Sequence, residues 1–257
     1  MPILTDMHIH SHFSPDSKAS IAECCEAAIA KGFERICITD HLELKDEYYD
    51  FYDAEGYFES IEQARKNYGI TLLTGCEIDG GPYNYPERYK ACLARPYDYI
   101  LCSVHDWYEG LYATEMAVHP MPLEESFSRY WDEVYETVCY GGFDAFAHMD
   151  FPKRYYGKAL YDWVKLEKIF AEMIKKGIAL EINTSSLRTG SAKEPMPGAK
   201  LLDFYKKCGG RLAAIGSDAH NPRDIGAGFD VVERLVEGLE PVWFQSRSKQ
   251  KFSGGLS

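Results

Sequence analysis

The chain has 257 residues, 46% of them apolar and 26% charged, enough to bury a sizeable core beneath an ordinary polar surface. Its formal net charge of -12 disfavours a protein that tracks a nucleic-acid backbone, which needs a basic face. No apolar run reaches the roughly 18 to 20 residues needed to span a bilayer, and Met1-Pro2-Ile3-Leu4-Thr5-Asp6 lacks the basic-then-apolar order of a signal peptide, so no membrane partner and a cytoplasmic location are expected.

Residues 3–9 read as a buried strand ending in Asp6-Met7-His8-Ile9-His10. A helix follows over 19–31, with Ile21, Cys24, Cys25, Ala28 and Ile29 at helical spacing and Gly32 to stop it. A strand over 35–39 leads to Asp40-His41, a helix spans 54–67 with Gly69 after it, and a strand over 70–76 runs into Glu77. Residues 98–104 form a strand delivering His105, 122–140 a long amphipathic helix, and 143–147 a strand delivering His148. Then come a helix over 162–176 closed by Gly177, a strand over 178–182 leading to Asn183, and a helix over 199–208. A strand over 212–215 delivers Asp218 and His220, and a last helix is expected over 231–238. The segment 244–257 is polar, carries Arg247, Lys249 and Lys251, and reads as a poorly ordered tail, leaving 1–243 as a single domain.

Seven strands alternating with helices, without an eighth, imply parallel strands joined by right-handed crossovers. An open doubly wound sheet satisfies that alternation. A closed α/β barrel explains more, because it brings every strand's C-terminal end to one rim. The eight cysteines show no C-x-x-C spacing; Cys37, Cys76 and Cys102 lie in apolar strand runs and Cys24 and Cys25 adjoin on a helix, so reduced, mostly buried thiols are expected.

Six of the eight histidines, His8, His10, His41, His105, His148 and His220, stand at or just past strand ends, where a packed core has no use for imidazoles. His8 and His10 are two apart and share a strand face, and Asp218 and His220 repeat that spacing. Glu77 is a lone carboxylate whose two oxygens could bridge a pair of ions, and Asp16 lies in the first loop, close enough to fold over the rim. These nine residues offer imidazole and carboxylate but no thiolate, which suits two or three divalent ions of Zn, Mn or Fe. An accessible rim favours a catalytic over a structural role. His12 precedes Phe13-Ser14-Pro15, where the strand has ended, and His119 sits in a proline-rich loop; both are left outside the ligand set. Arg154 and Arg188 follow the fifth and sixth strands onto the same rim, where a guanidinium fork matches phosphate oxygens in pairs.

Together these motifs, with Ile38-Thr39-Asp40-His41, Gly75-Cys76-Glu77, Ser103-Val104-His105 and Gly216-Ser217-Asp218-Ala219-His220, resemble the PHP superfamily of metal-dependent phosphoesterases. Phe151-Pro152-Lys153-Arg154-Tyr155, Glu181-Ile182-Asn183-Thr184-Ser185-Ser186-Leu187-Arg188 and Glu194-Pro195-Met196-Pro197 bring the chain nearest to its monofunctional histidinol-phosphate phosphatases. The resemblance implies a distorted (β/α)7 barrel and a trinuclear centre. One ion would be held by His8, His10, Glu77 and Asp218, a second by Glu77, His105 and His148, and a third by Asp16, His41 and His220. Asp16 takes a place where relatives carry His. The implied reaction of histidine biosynthesis is L-histidinol phosphate plus water to L-histidinol and inorganic phosphate, with a hydroxide between two ions as the attacking group. Asp106, His12 or a metal-bound water would protonate the leaving alkoxide.

The run Asp106-Trp107-Tyr108-Glu109-Gly110 departs from the more apolar continuation typical of those phosphatases, and the stretch 109–121, with Tyr112, Glu115 and His119, has no assigned place. The alcohol carried by the phosphate therefore stays open, with phosphotyrosine, a nucleotide or an oligonucleotide as alternatives. An amidohydrolase or TatD-type nuclease also begins with His-x-His but ends in a lone Asp, whereas this chain carries Asp218-x-His220. A non-enzymatic metal-binding scaffold is the remaining alternative. The oligomeric state is not legible, although 14% aromatic residues would be compatible with an aromatic interface.

Overall fold

Strand β1 (Thr5–Ile9) is buried at every position, as a parallel strand covered on both faces must be. The computed structural model of the chain describes residues 3–45, 52–79, 81–107 and 121–252. Among them β1 is followed by α1 (Ile21–Ala30), β2 (Arg35–Ile38), β3 (His41–Glu43), α2 (Ala54–Asn67), β4 (Thr71–Asp79), α3 (Pro86–Leu93) and β5 (Tyr99–Cys102). Then come α4 (Leu123–Tyr140), β6 (Ala145–Phe146), α5 (Lys153–Tyr156), α6 (Trp163–Lys176), β7 (Ala179–Asn183), α7 (Ala199–Lys207), β8 (Leu212–Gly216), α8 (Phe229–Leu235), β9 (Glu240–Gln245) and β10 (Ser248–Lys251). No helix among the described residues is long and apolar enough to cross a membrane.

The sheet runs β1-β2-β4-β5-β6-β7-β8, parallel throughout. Its two ends meet: Asp218 N–H donates to His8 O at 2.8 Å and His10 N–H to Ala219 O at 2.9 Å. The Asp6 carboxylate reinforces the seam, accepting the backbone N–H groups of Ser217 and Gly226, each at 2.9 Å. The outcome is the seven-stranded α/β barrel expected from the alternation, and the open doubly wound sheet is excluded.

Short β3 pairs with β4 directly above β2, so the two act as one barrel strand broken at Thr39-Asp40. Just past the break, His41 opens β3 opposite Glu77. A register shift between Asp6 and Ile9 puts one extra residue into β1. Met7 belongs to the inner core and Ile9 to the outer one, so this bulge reverses the alternation and turns His8 and His10 towards the barrel axis.

The barrel interior is narrow. Ala145, Ala147, Ala179 and Ala214 face Met7, Cys37, Leu73, Tyr99 and Leu101. Gly75 keeps it so, since a Cβ there would meet Cys37 Sγ at 2.7 Å. The larger core lies between the strands and the helices, with Trp131, Tyr130, Phe146 and Phe170 among its fully buried members. Helix ends follow local chemistry: Ser20 and Glu23 form a capping box on α1, Asp162 caps α6, and Gly177 at φ 70° ends it. All eight cysteines are free thiols and six are buried; Cys76 and Cys92 sulfurs lie 3.6 Å apart.

The expected poorly ordered tail is corrected. The boundary at 243/244 falls inside β9, which pairs with β8 and then turns back through Ser246 and Arg247 into β10. Both turn residues have positive φ, 49° and 61°, as a tight hairpin turn requires. Val242 and Phe244 enter the inner core at the end of the barrel opposite the rim, with the Phe244 ring stacked on Tyr99 at 5.2 Å. The alternation Val242-Trp243-Phe244 drives this strand, and the charges after it mask the signal. Residues 253–257 lie outside the described residues.

Candidate metal centre

The strand ends and the first loop bring the nine imidazole and carboxylate side chains singled out in the sequence to one rim. His8 and His10 come from β1, His41 from the β2–β3 break, Glu77 from β4, His105 and His148 from just beyond β5 and β6, and Asp218 and His220 from just beyond β8. Asp16 comes from the loop before α1. All nine meet in one place.

Around one point lie His8 Nε2 and His10 Nε2, 2.9 Å apart, with Glu77 Oε2 at 3.3 Å from His8 and 3.5 Å from His10. Asp218 Oδ1 completes this group at 3.7 Å from His8 and 3.3 Å from His10. Donors bound at about 2.0–2.1 Å around a tetrahedral ion stand roughly 3.3 Å from one another, so this spacing fits a cation. The other oxygen of Glu77 serves a second group: Oε1 lies 2.9 Å from His148 Nε2 and 3.6 Å from His105 Nε2, and the two imidazole nitrogens are 3.2 Å apart. A third group forms where Asp16 Oδ2 stands 2.9 Å from His220 Nε2 and 3.6 Å from His41 Nε2. His41 Nδ1 reaches Glu77 Oε2 at 3.2 Å, so Glu77 touches all three groups directly or through one residue.

The depth of these groups differs. His8, His10 and Glu77 are fully buried, whereas Asp16 is 54% exposed and His220 31%. Burial, followed by the charges of His220 and His41, pushes His10 down to about 3, and burial pushes His105 down to about 4. Both rings are thereby held neutral with a lone pair to offer, the form that binds a cation. For His8, burial is outweighed by the carboxylates of Glu181, Glu77 and Asp218, which raise it. Burial likewise opposes the ionisation of Glu77 and Asp218, but the adjoining His8 leads the charges and hydrogen bonds that hold both well below the usual carboxylate range.

A surrounding layer aims these donors, and sequence reasoning missed it. Glu181 Oε1 takes His8 Nδ1 at 2.6 Å and Ser14 Oγ takes His10 Nδ1 at 3.0 Å, leaving each Nε2 to the centre. Asp40 accepts Ser11 N–H at 2.6 Å and the Ser14 hydroxyl at 2.8 Å, which fixes the loop after β1. Asp79 accepts His105 N–H at 2.9 Å. Two of these side chains sit on strained backbone, His148 at φ 24° and Asp218 at φ 53°. Glu43, also unforeseen, groups with His41 and His105; burial, then the Asp79 charge, raises its carboxyl well above the usual range. The available signal was a carboxylate inside an otherwise apolar strand, as at Glu181 and Asp79.

Arg154 lies on α5 at the edge of the ligand cluster. Its Nη2 donates to Asp218 Oδ2 at 3.1 Å and to Ser185 Oγ at 2.5 Å, and its guanidinium covers the Phe151 ring at 4.8 Å. Phe151 packs against His105 and His148, with centroids 4.9 and 4.7 Å away. Lys153, fully buried with Asp150 at 2.9 Å, anchors this helix and reaches Pro195 O at 2.6 Å. Arg188 points elsewhere: its Nη2 donates to the carbonyls of Ser217 at 2.7 Å and Asp218 at 3.3 Å, bracing the loop that carries Asp218. Asp106 is ion-paired with Lys45. His12 is exposed against Phe13, and Tyr108, Glu109, Gly110, Tyr112, Glu115 and His119 lie outside the described residues.

Fold and rim define a class, that of parallel barrels whose strand ends could hold several divalent cations among His, Asp and Glu side chains. The chain belongs to the PHP domain family, whose model matches residues 6–185. It is similar to a probable histidinol-phosphatase of Thermotoga maritima, 33% identical over 240 residues that cover 91% of each chain. A probable histidinol-phosphatase of Clostridium acetobutylicum is 29% identical over 94% of this chain and 97% of its own. Among solved structures, the histidinol phosphate phosphatase of Lactococcus lactis, complexed with zinc, L-histidinol and phosphate, superposes with a TM-score of 0.82 at 26% identity, covering 96% of this chain and 98% of that one.

Proposed function

We propose that this chain is a metal-dependent phosphate monoester hydrolase that converts L-histidinol phosphate and water to L-histidinol and inorganic phosphate. The observation that carries the reading is the division of Glu77 between two imidazole groups, with Arg154 beside them on Asp218. The likeness to a barrel that holds zinc, L-histidinol and phosphate together supports the substrate. His8, His10, Glu77 and Asp218 would hold one ion, Glu77, His105 and His148 a second, and Asp16, His41 and His220 a third, of Zn, Mn or Fe. Bound there, such ions would lower the pKa of water towards neutrality and neutralise phosphoryl oxygens. The cytoplasm is the compartment that goes with this activity.

The chain's own residues do the rest. Arg154 presents a planar fork at the mouth of the ligand cluster, where it can pair with phosphate oxygens as its neighbour Asp218 turns to a cation. Phe151 lays an apolar ring against the flank of His105 and His148. Arg188 contributes through the carbonyls of the Asp218 loop, and a direct clamp on phosphate would require it to leave them. Lys45 already occupies the Asp106 carboxylate, which competes with its use as the acid for the leaving alkoxide.

Turnover of L-histidinol phosphate beside phosphotyrosine, a nucleoside monophosphate and a simple alkyl phosphate tests the substrate. The highest kcat/KM is expected for L-histidinol phosphate. A higher value for another ester would overturn the substrate, and no turnover of any would overturn the phosphatase.

A further inference from the structure

Glu181 faces inward on β7 with only 1% of its surface exposed, and its two oxygens are divided between two ligand groups. Oε1 accepts from His8 Nδ1 at 2.6 Å. Oε2 accepts the backbone N–H of His148 at 2.8 Å and the Asn183 side-chain amide at 3.1 Å. The first contact holds the Nδ1 proton, so Nε2 is the nitrogen that His8 turns towards Glu77, His10 and Asp218, and the one that would give up its proton to an ion. The second holds a strained turn, since His148 at φ 24° occupies backbone space that side-chain-bearing residues rarely adopt. That turn aims His148 Nε2 at the other oxygen of Glu77, 2.9 Å away.

We infer that Glu181 is the positioning residue that sets both halves of the Glu77-bridged pair at once. It holds the Nδ1 proton of His8 on one side and the backbone of His148 on the other. The inference rests on the metal reading above. No neutral isostere can replace the carboxylate, because both of its oxygens accept. A glutamine with its oxygen towards His148 turns an NH2 on His8 Nδ1, moving the ring proton to the nitrogen needed for the ion. The opposite flip sets that NH2 against the His148 N–H and the Asn183 amide, and the turn loses its acceptor. Either arrangement spoils one of the two groups. Gly216 belongs to the same device: a Cβ at that position would collide with both Glu181 Oε1 and His8 Cβ, so glycine is what lets the two meet.

The test is Mn(II) uptake by metal-stripped protein, followed by elemental analysis and electron paramagnetic resonance, with circular dichroism to report folding. Wild type should take up a spin-coupled pair. Glu181→Gln should bind one of those ions about 10- to 100-fold more weakly and show the signal of an isolated Mn(II). Gly216→Ala keeps the carboxylate but displaces it from His8, so it should lose the same coupling, and it decides the matter should Glu181→Gln not fold. A folded Glu181→Gln that binds the wild-type complement with wild-type affinity and coupling would overturn the assignment of Glu181 alone. Failure of wild type to bind any ion would overturn the metal reading beneath it.

Discussion

Arg154 ends its path on an acidic neighbour, 3.1 Å from Asp218 Oδ2, at the edge of a cluster built to attract cations. A guanidinium there either neutralises Asp218 or receives the phosphate, and an ion held by Asp218 would free it for the second task. Charged hydrogen bonds of this kind contribute about 1.5–3 kcal/mol, so Arg154→Ala should lower kcat/KM for the phosphate ester by roughly 10- to 100-fold. Arg154→Lys should recover only part of this, because an ammonium lacks the fork. Steady-state kinetics on metal-loaded protein checks both, and unchanged kinetics would remove Arg154 from the site. The six histidines among the nine presumed ligands could be read in the sequence because imidazoles at strand ends have no packing purpose, and Glu77, Asp218 and Asp16 by their place beside them. Glu181 could not, because its partners are distant in the chain, and neither could Ser14, because a single serine in a loop has many ordinary uses even four residues from His10.

Helices and strands obeyed their local signals where those signals were strong. Ser20, Asp53, Asp162 and Gly177 mark helix ends through side-chain acceptors or a left-handed residue, and the observed ends agree with them. What escaped notice was short or masked: β3 has three residues, and its existence depends on pairing with β4. The C-terminal hairpin was hidden by its own lysines and arginine. That arginine has a structural task, as Arg247 donates to Asp144 Oδ2 at 2.5 Å and to Gly142 O at 2.7 Å. Burial raises the Asp144 carboxyl above its usual range while Arg247 pulls it down. A carboxyl with a raised folded value binds its proton more tightly folded than unfolded, so it favours folding as pH falls through that value and works against it above. Removing the guanidinium should widen this difference. Arg247→Ala is therefore expected to destabilise most near pH 7 and less as the carboxyl takes up its proton, which urea unfolding at neutral and mildly acidic pH would show. An equal loss at both would place the role of Arg247 in its Gly142 contact.

Across the whole molecule, the first and last barrel strands are joined at the residues that also supply the proposed metal donors. Asp218 N–H bonds to His8 O across the seam, so closing the barrel and assembling the centre are one event. The bulge in β1 turns two donors to the same place, and the break between β2 and β3 and the strained turns at His148 and Asp218 turn one each. A net charge of -12 suits such a rim better than it suits a nucleic-acid groove. The most direct measurement is hydrolysis of L-histidinol phosphate by metal-stripped protein, with bound ions counted as Zn, Mn or Fe is restored. Activity should be absent without metal and should rise to its full value with two or three ions per chain. Full activity in protein shown to hold none would contradict the account.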